Sequence, residues 1–177
     1  SNRSKFSQNQ TIVSFPSDSI SNYIAKEFKL TQSNQVLATA CSSGNYAVGQ
    51  IYDLIRSKAA DYGFAGGADS ISRVVFTGFS RLNAVAPEKC QPYDLNRKGM
   101  IPAEGAGMVI MESLDTALAR NATIYAEIAG YALSCDARHI TQPDEHGVRS
   151  AITKALRSAN LSCNDVDYIS THGTGTK

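Results

Sequence analysis

Cys41 stands in the run Thr39-Ala40-Cys41-Ser42-Ser43-Gly44, between a short apolar segment and an amphipathic one. Its sulfur is therefore expected at a strand-to-helix turn, beside the unpaired amide groups of a helix N-terminus. That end favours an anion, by about 0.3–1 kcal/mol where it is exposed, so a reactive thiolate also needs a polar partner. The small neighbours Ala40, Ser42, Ser43 and Gly44 let a substrate carbonyl approach the backbone closely. Position alone leaves a buried, inert cysteine equally open. His172 is the candidate partner. It follows the apolar run Val166–Ser170 and is embedded in Gly173, Thr174, Gly175 and Thr176, which is a loop at a strand end, where open α/β sheets bind ligands. Thr174 and Thr176 offer hydroxyls to an amide-bearing substrate, although threonine in a loop also serves local capping. A solvated turn histidine is the competing reading of His172.

The elements around these residues follow from periodicity. Ile20, Tyr23, Ile24 and Phe28 share one helical face, and a helix is predicted from a Ser17 or Ser19 cap, followed by a turn at Thr31–Asn34. Gln35–Ala40 reads as a short buried strand ending at Cys41. Ala47, Val48, Ile51, Leu54 and Ile55 mark a second helix that stops near Lys58. Strands are predicted at Tyr62–Ala65, Ala106–Glu112, Ile124–Ala132 and Val166–Ser170, with a short helix at Leu114–Arg120. Val148, Ala151, Ile152, Ala155, Leu156 and Ala159 define another helical face. Alternation of this kind predicts an α/β fold whose sheet is covered by helices.

Composition narrows the function classes. With 177 residues, 42% apolar and 19% charged residues, the chain has the balance of a globular domain and excludes a disordered or collagen-like one. Lys plus Arg number 17 and Asp plus Glu 16. No basic run exists to neutralise phosphates, so nucleic acid is not an expected partner. Every apolar stretch falls short of the roughly 20 residues that cross a bilayer. Ser1–Gln10 is polar and lacks a signal-peptide core, so no membrane association is expected and the chain reads as cytoplasmic. Cys41, Cys90, Cys135 and Cys163 lie far apart without C-x-x-C or C-x-x-H spacing, and read as reduced thiols rather than zinc ligands.

Several motifs keep a common order. Thr39-Ala40-Cys41-Ser42-Ser43-Gly44 is followed by Ala65-Gly66-Gly67-Ala68, by Pro92-Tyr93-Asp94 with Arg97-Lys98-Gly99, by Glu104-Gly105-Ala106-Gly107, and by His172-Gly173-Thr174-Gly175-Thr176. Asp136 to Pro143 (DARHITQP) fits the pattern Asp-Ala-x-His-x-Thr-x-Pro. Together, from about Ser17 to the end, they resemble the β-ketoacyl-acyl carrier protein synthases of the thiolase-like superfamily. The resemblance implies a layered α/β/α architecture, incomplete here, with residues 1–177 forming one partial ketosynthase domain from the nucleophile region to the first active-site histidine.

By the same resemblance, Cys41 takes an acyl group from a carrier-protein thioester, splitting one hard carbon–carbon bond formation into two steps. His172 then stabilises charge on the malonyl thioester oxygen as carbon dioxide leaves. Thr174 and Thr176 bind the phosphopantetheine amides, Phe79 lines the mouth of the acyl pocket and His139 borders the pantetheine entrance. No metal or resident cofactor is implied, because the phosphopantetheine belongs to the acyl carrier protein substrate. A homodimer or heterodimer and the remainder of a ketosynthase are the other implied partners. Complete ketosynthases are more than twice this length, and their Lys-Ser-x-x-Gly-His and Gly-Phe-Gly-Gly segments have no counterpart in these residues. The stretch from Phe79 to Asp94 is shorter than in the fatty-acid elongation enzymes, which keeps polyketide-type synthases open. Two alternatives are a nucleophile-free chain-length-factor-like partner, disfavoured by Cys41, and a thiolase-like enzyme using coenzyme A, disfavoured by the His-Gly-Thr-Gly-Thr form.

Other groups read as structural. Gly105 and Gly107 lack the G-x-G-x-x-G spacing of a nucleotide loop. His139, His146, Asp136 and Asp144 have a metal-like composition without a known ligand spacing. Arg73, Arg81 and Lys89 are scattered bases of a solvated surface, with attraction of an acidic carrier as the sharper reading.

Overall fold

Periodic apolar stripes, bounded by residues that take up end-of-helix backbone groups, govern how this chain folds. The computed structural model describes residues 18–139 and 142–176, in two units, Ser1–Ser43 and Gly44–Lys177. In the first unit, helix α1 (Ser19–Glu27) starts at Asp18 rather than at a serine cap; Ser17 lies outside the described residues. Asp18 is held from within the first turn, its carbonyl accepting from Ser21 Oγ at 3.0 Å and its carboxylate from Asn22 Nδ2 at 2.8 Å. The helix stops where Lys29 turns left-handed, with φ 52°, and Leu30 N–H reaches back to Ala25 O at 2.8 Å. Gln35–Ala40 is not a strand. It runs without ladder hydrogen bonds into a 3₁₀ turn, Ala40–Ser42.

Helix α2 (Ser43–Arg56) follows that turn directly and ends near Lys58, as the stripe predicts. Strand β1 (Tyr62–Asp69) pairs antiparallel with β2 (Gly105–Glu112), in a register from Tyr62 opposite Glu112 to Asp69 opposite Gly105. β1 runs on through Gly66 and Gly67, beyond the predicted end, because small residues face each other there. A Cβ on Gly66 would stand 2.1 Å from the carbonyl oxygen of Gly107, so only glycine permits this approach.

Helix α3 (Arg73–Arg81) has no sequence-based forecast. Its start is set by Ser72, whose side chain accepts from Val75 N–H at 3.1 Å. Helix α4 (Leu114–Ala119) has the same device in Ser113, bonded to Thr116 N–H at 3.2 Å. Behind it, Arg120 Nε donates to both carboxylate oxygens of Glu112, at 3.0 and 3.2 Å. Helix α5 (Glu145–Ala159) is capped by Asp144 and closed by left-handed Asn160, φ 56°.

The result is an α/β chain whose only sheet, among the described residues, is the two-stranded β1–β2. Ile124–Ala132 and Val166–Ser170 were predicted as strands and carry none. A strand persists only if a neighbour takes its N–H and C=O groups, and these segments have none: Tyr125 is 94% exposed and Tyr168 83%. Among the described residues, the buried apolar side chains are Ala65, Ala86 and Ala117, all small.

Candidate active site

The turn that carries Cys41 is built by hydroxyls. Ser42 N–H and Ser42 Oγ both donate to the Thr39 carbonyl, at 3.3 and 2.8 Å. Ser43 Oγ accepts from Thr39 N–H at 2.9 Å and donates to Ala40 O at 2.7 Å. These bonds offset a local cost, because Ala40 sits in the left-handed region with φ 52°, a conformation worth roughly 1–2 kcal/mol of strain for a residue with a Cβ. Cys41 itself is an exposed free thiol rather than a buried one. The hydroxyls of Thr39, Ser42 and Ser43 beside it bond within the turn.

His172 is exposed on an irregular loop, as predicted, although no strand precedes it. Gly173 and Gly175 take φ 48° and 73°, left-handed values that glycine adopts without the cost a Cβ brings. Thr174 and Thr176 are brought together, hydroxyl to hydroxyl at 2.8 Å. A second segment, Cys90–Gly99, stitches this loop in place through three consecutive carbonyls. Cys90 Sγ donates to Thr174 O at 3.5 Å, Gly99 N–H to Gly175 O at 3.0 Å, and Arg97 Nε to Thr176 O at 2.9 Å. Gly99 and Gly175 are both buried. Gly99, at φ 132°, has Ala84 O only 2.4 Å from where a Cβ would be. Arg97 and Gly99 were legible as motif members; that their partner is the threonine loop was not, since Arg97 and Thr176 lie 79 residues apart.

Phe79 lies half-buried near the end of α3, and His139 is exposed beside the Asp136 loop. Residues 140 and 141 of the DARHITQP segment lie outside the described residues. The acidic groups around His146 serve backbone: Asp136 accepts from Asp144 N–H at 2.8 Å and Arg138 N–H at 3.2 Å, and Asp144 accepts from His146 N–H at 2.7 Å. Those amides hold the Asp136 carboxyl below its usual range. Among the described residues, no three His, Cys, Asp or Glu side chains gather as a metal site. Gly105 and Gly107 lie within β2, opposite Asp69 and Gly67, which is sheet rather than a phosphate loop.

Comparison with known proteins agrees with these motifs. Residues 2–117 match the family "Beta-ketoacyl synthase, N-terminal domain" and residues 125–177 "Beta-ketoacyl synthase, C-terminal domain". The chain belongs to the β-ketoacyl synthase family. Nodulation protein E of Rhizobium meliloti is 46% identical over 142 residues, 80% of this chain and 35% of that protein. The 3-oxoacyl-[acyl-carrier-protein] synthase 2 of Rhizobium meliloti (strain 1021) is 44% identical over 158 residues, 84% of this chain and 38% of that protein. A type II PKS ketosynthase, solved in complex with its acyl-carrier protein and bound to the hexaketide, superposes with a TM-score of 0.89 at 32% identity, over 95% of this chain and 44% of that one. This β-ketoacyl synthase chain thus spans little more than a third of the curated relatives it matches, and the likeness to the solved ketosynthase carries the thiolase-like α/β fold.

Proposed function

We propose that the protein carrying this chain is a β-ketoacyl-acyl carrier protein synthase of fatty acid or polyketide synthesis, with Cys41 as nucleophile and His172 as one of its oxyanion donors. The carrying observation is the exposed Cys41 thiol on a strained, hydroxyl-braced turn, the geometry that makes a nucleophile accessible. In the first step Cys41 Sγ bonds to the acyl carbon, the donor's acyl–sulfur bond breaks, and the thiol proton ends on the departing pantetheine sulfur. In the second, the malonyl thioester loses carbon dioxide. Its C2 carbon attacks the acyl-Cys41 carbonyl, and the C–S bond breaks to leave the Cys41 thiolate, which regains a proton from water. His172 donates to the thioester oxygen while negative charge collects there; loss of one such donor typically costs about 2.7–4 kcal/mol, roughly 10²–10³ in rate.

Thr174 and Thr176 fit recognition of pantetheine amides, being adjacent hydroxyls on one fixed loop. Phe79 at the acyl pocket and His139 at the entrance complete the assignment. The partner is an acyl carrier protein, with pairing as a homodimer or heterodimer and a cytoplasmic location; among the described residues no helix is long and apolar enough to cross a membrane. The test is intact-protein and peptide mass spectrometry of the full-length protein after incubation with an acyl carrier thioester. An acyl adduct is expected on Cys41 and lost in Cys41→Ala; an adduct elsewhere, or none, overturns the assignment.

A further inference from the structure

The threonine loop is not self-supporting. Three of its successive carbonyls, those of Thr174, Gly175 and Thr176, accept from one segment, Cys90–Gly99. Of the three donors, Arg97 alone is charged and forked, and it is half-buried between exposed Asn96 and Lys98. Its Nε reaches Thr176 O at 2.9 Å while its Nη1 holds Asp94 O at 3.2 Å. Asp94 in turn fixes the bend that aims the arginine: its carboxylate accepts from Asn96 N–H at 2.7 Å and its carbonyl from Arg97 N–H at 3.3 Å. One guanidinium therefore ties the loop to the bend, with a rigid planar fork that an ammonium cannot copy.

We propose that Arg97 is a positioning residue that sets the Thr174–Thr176 hydroxyl pair for substrates bearing pantetheine amides, an inference that rests on the condensing-enzyme reading above. It acts through backbone and touches no reacting atom. With the Thr176 carbonyl released, the 2.8 Å hydroxyl pair loses its fixed location, and recognition of the amides weakens while Cys41 chemistry is spared.

The experiment compares acylation of Cys41 in the full-length protein by acetyl-pantetheine and by S-ethyl thioacetate, which has the same acyl group and no amides. For Arg97→Met, kcat/KM with acetyl-pantetheine is expected to fall about tenfold, the scale of one charge-assisted hydrogen bond, and to stay within about twofold for the ethyl thioester. Arg97→Lys, which keeps the charge without the fork, should show the same selective loss to a smaller degree, and it decides the matter if Arg97→Met does not fold. Equal effects on both thioesters, whether none or the same decline, overturn the proposal. A native protein that neither thioester labels at Cys41 overturns the condensing-enzyme reading, and this inference with it.

Discussion

Cys41 and the Thr174–Thr176 loop that follows His172 are held by opposite means, one by hydroxyls of its own turn and the other by a segment distant in sequence. All four cysteines are exposed, so differences in their reactivity report local field and geometry rather than access. Cys41, directly ahead of α2, is expected to react with iodoacetamide at pH 7 faster than Cys90 or Cys163 in the full-length protein, as followed by peptide mass spectrometry; equal rates would remove the case for activation. A second prediction concerns Tyr131, whose hydroxyl donates to Asp53 and whose ring meets Tyr52 edge-on at 5.7 Å. The bond to Asp53 and partial burial push the Tyr131 phenol up to about 12. Because the folded value lies above the unfolded one, this contact contributes stability below about pH 10 and loses it as pH climbs toward 12. Spectroscopic titration of Asp53→Asn should show a tyrosine returning toward 10. Residue type and spacing single out Cys41, His172 and the threonines as candidates. The hydroxyl brace was not legible, because serine in a turn looks the same whether it caps, solvates or bonds its own backbone.

Elements were legible where a stripe and its boundary agree, and illegible where a neighbour decides. Helices α2 and α5 appear as predicted because Ile51, Leu54 and Ile55, or Val148, Ile152 and Ala155, repeat at helical spacing. Helix α3 had no forecast; its β-branched Val74 and Val75 are weak helix formers, and the Ser72 cap outweighs that preference locally. Ser72→Ala should lower stability by about 1 kcal/mol, read as a shift in urea midpoint with unchanged slope. The start of α5 is tied to the loop before it: Asp136 accepts from Asp144 N–H, and Asp144 pairs with Arg138. Gly147 faces Asp136 so closely that an added Cβ would lie 2.9 Å from the Asp136 Cβ. With its carboxyl held low, Asp136 contributes stability above its unfolded value near 3.9 that is lost as pH falls through the lower folded one. Asp136→Asn should therefore flatten the acid limb of unfolding, and hydrogen exchange at Asp144 and Arg138, whose amides Asp136 accepts, should quicken first.

At the scale of the whole molecule, apolar residues are plentiful, and among the described residues buried ones are few. Val36 is 46% exposed, Val109 47%, Ile110 63% and Ile169 70%, far more open apolar surface than a soluble monomer ordinarily keeps. The isolated 177-residue chain is expected to bind a hydrophobic dye and to sediment above its monomer mass; a dye-silent monomer would contradict the exposure of these side chains. The α/β alternation was legible from the sequence, yet three of the five predicted strands find no ladder, since strand formation depends on partners that periodicity cannot reveal. The one ladder that does form has a consequence in time. β1 and β2 are joined by the whole stretch from residue 70 to residue 104, including α3, so their pairing must close a long loop before any bond rewards it. Helical signal should recover early on refolding, with α2 and α5, and protection of the Phe64 and Ile110 amides should follow as a separate, slower phase. A protease acting in that interval would meet a chain with its helices formed and its glycine-lined seam still open.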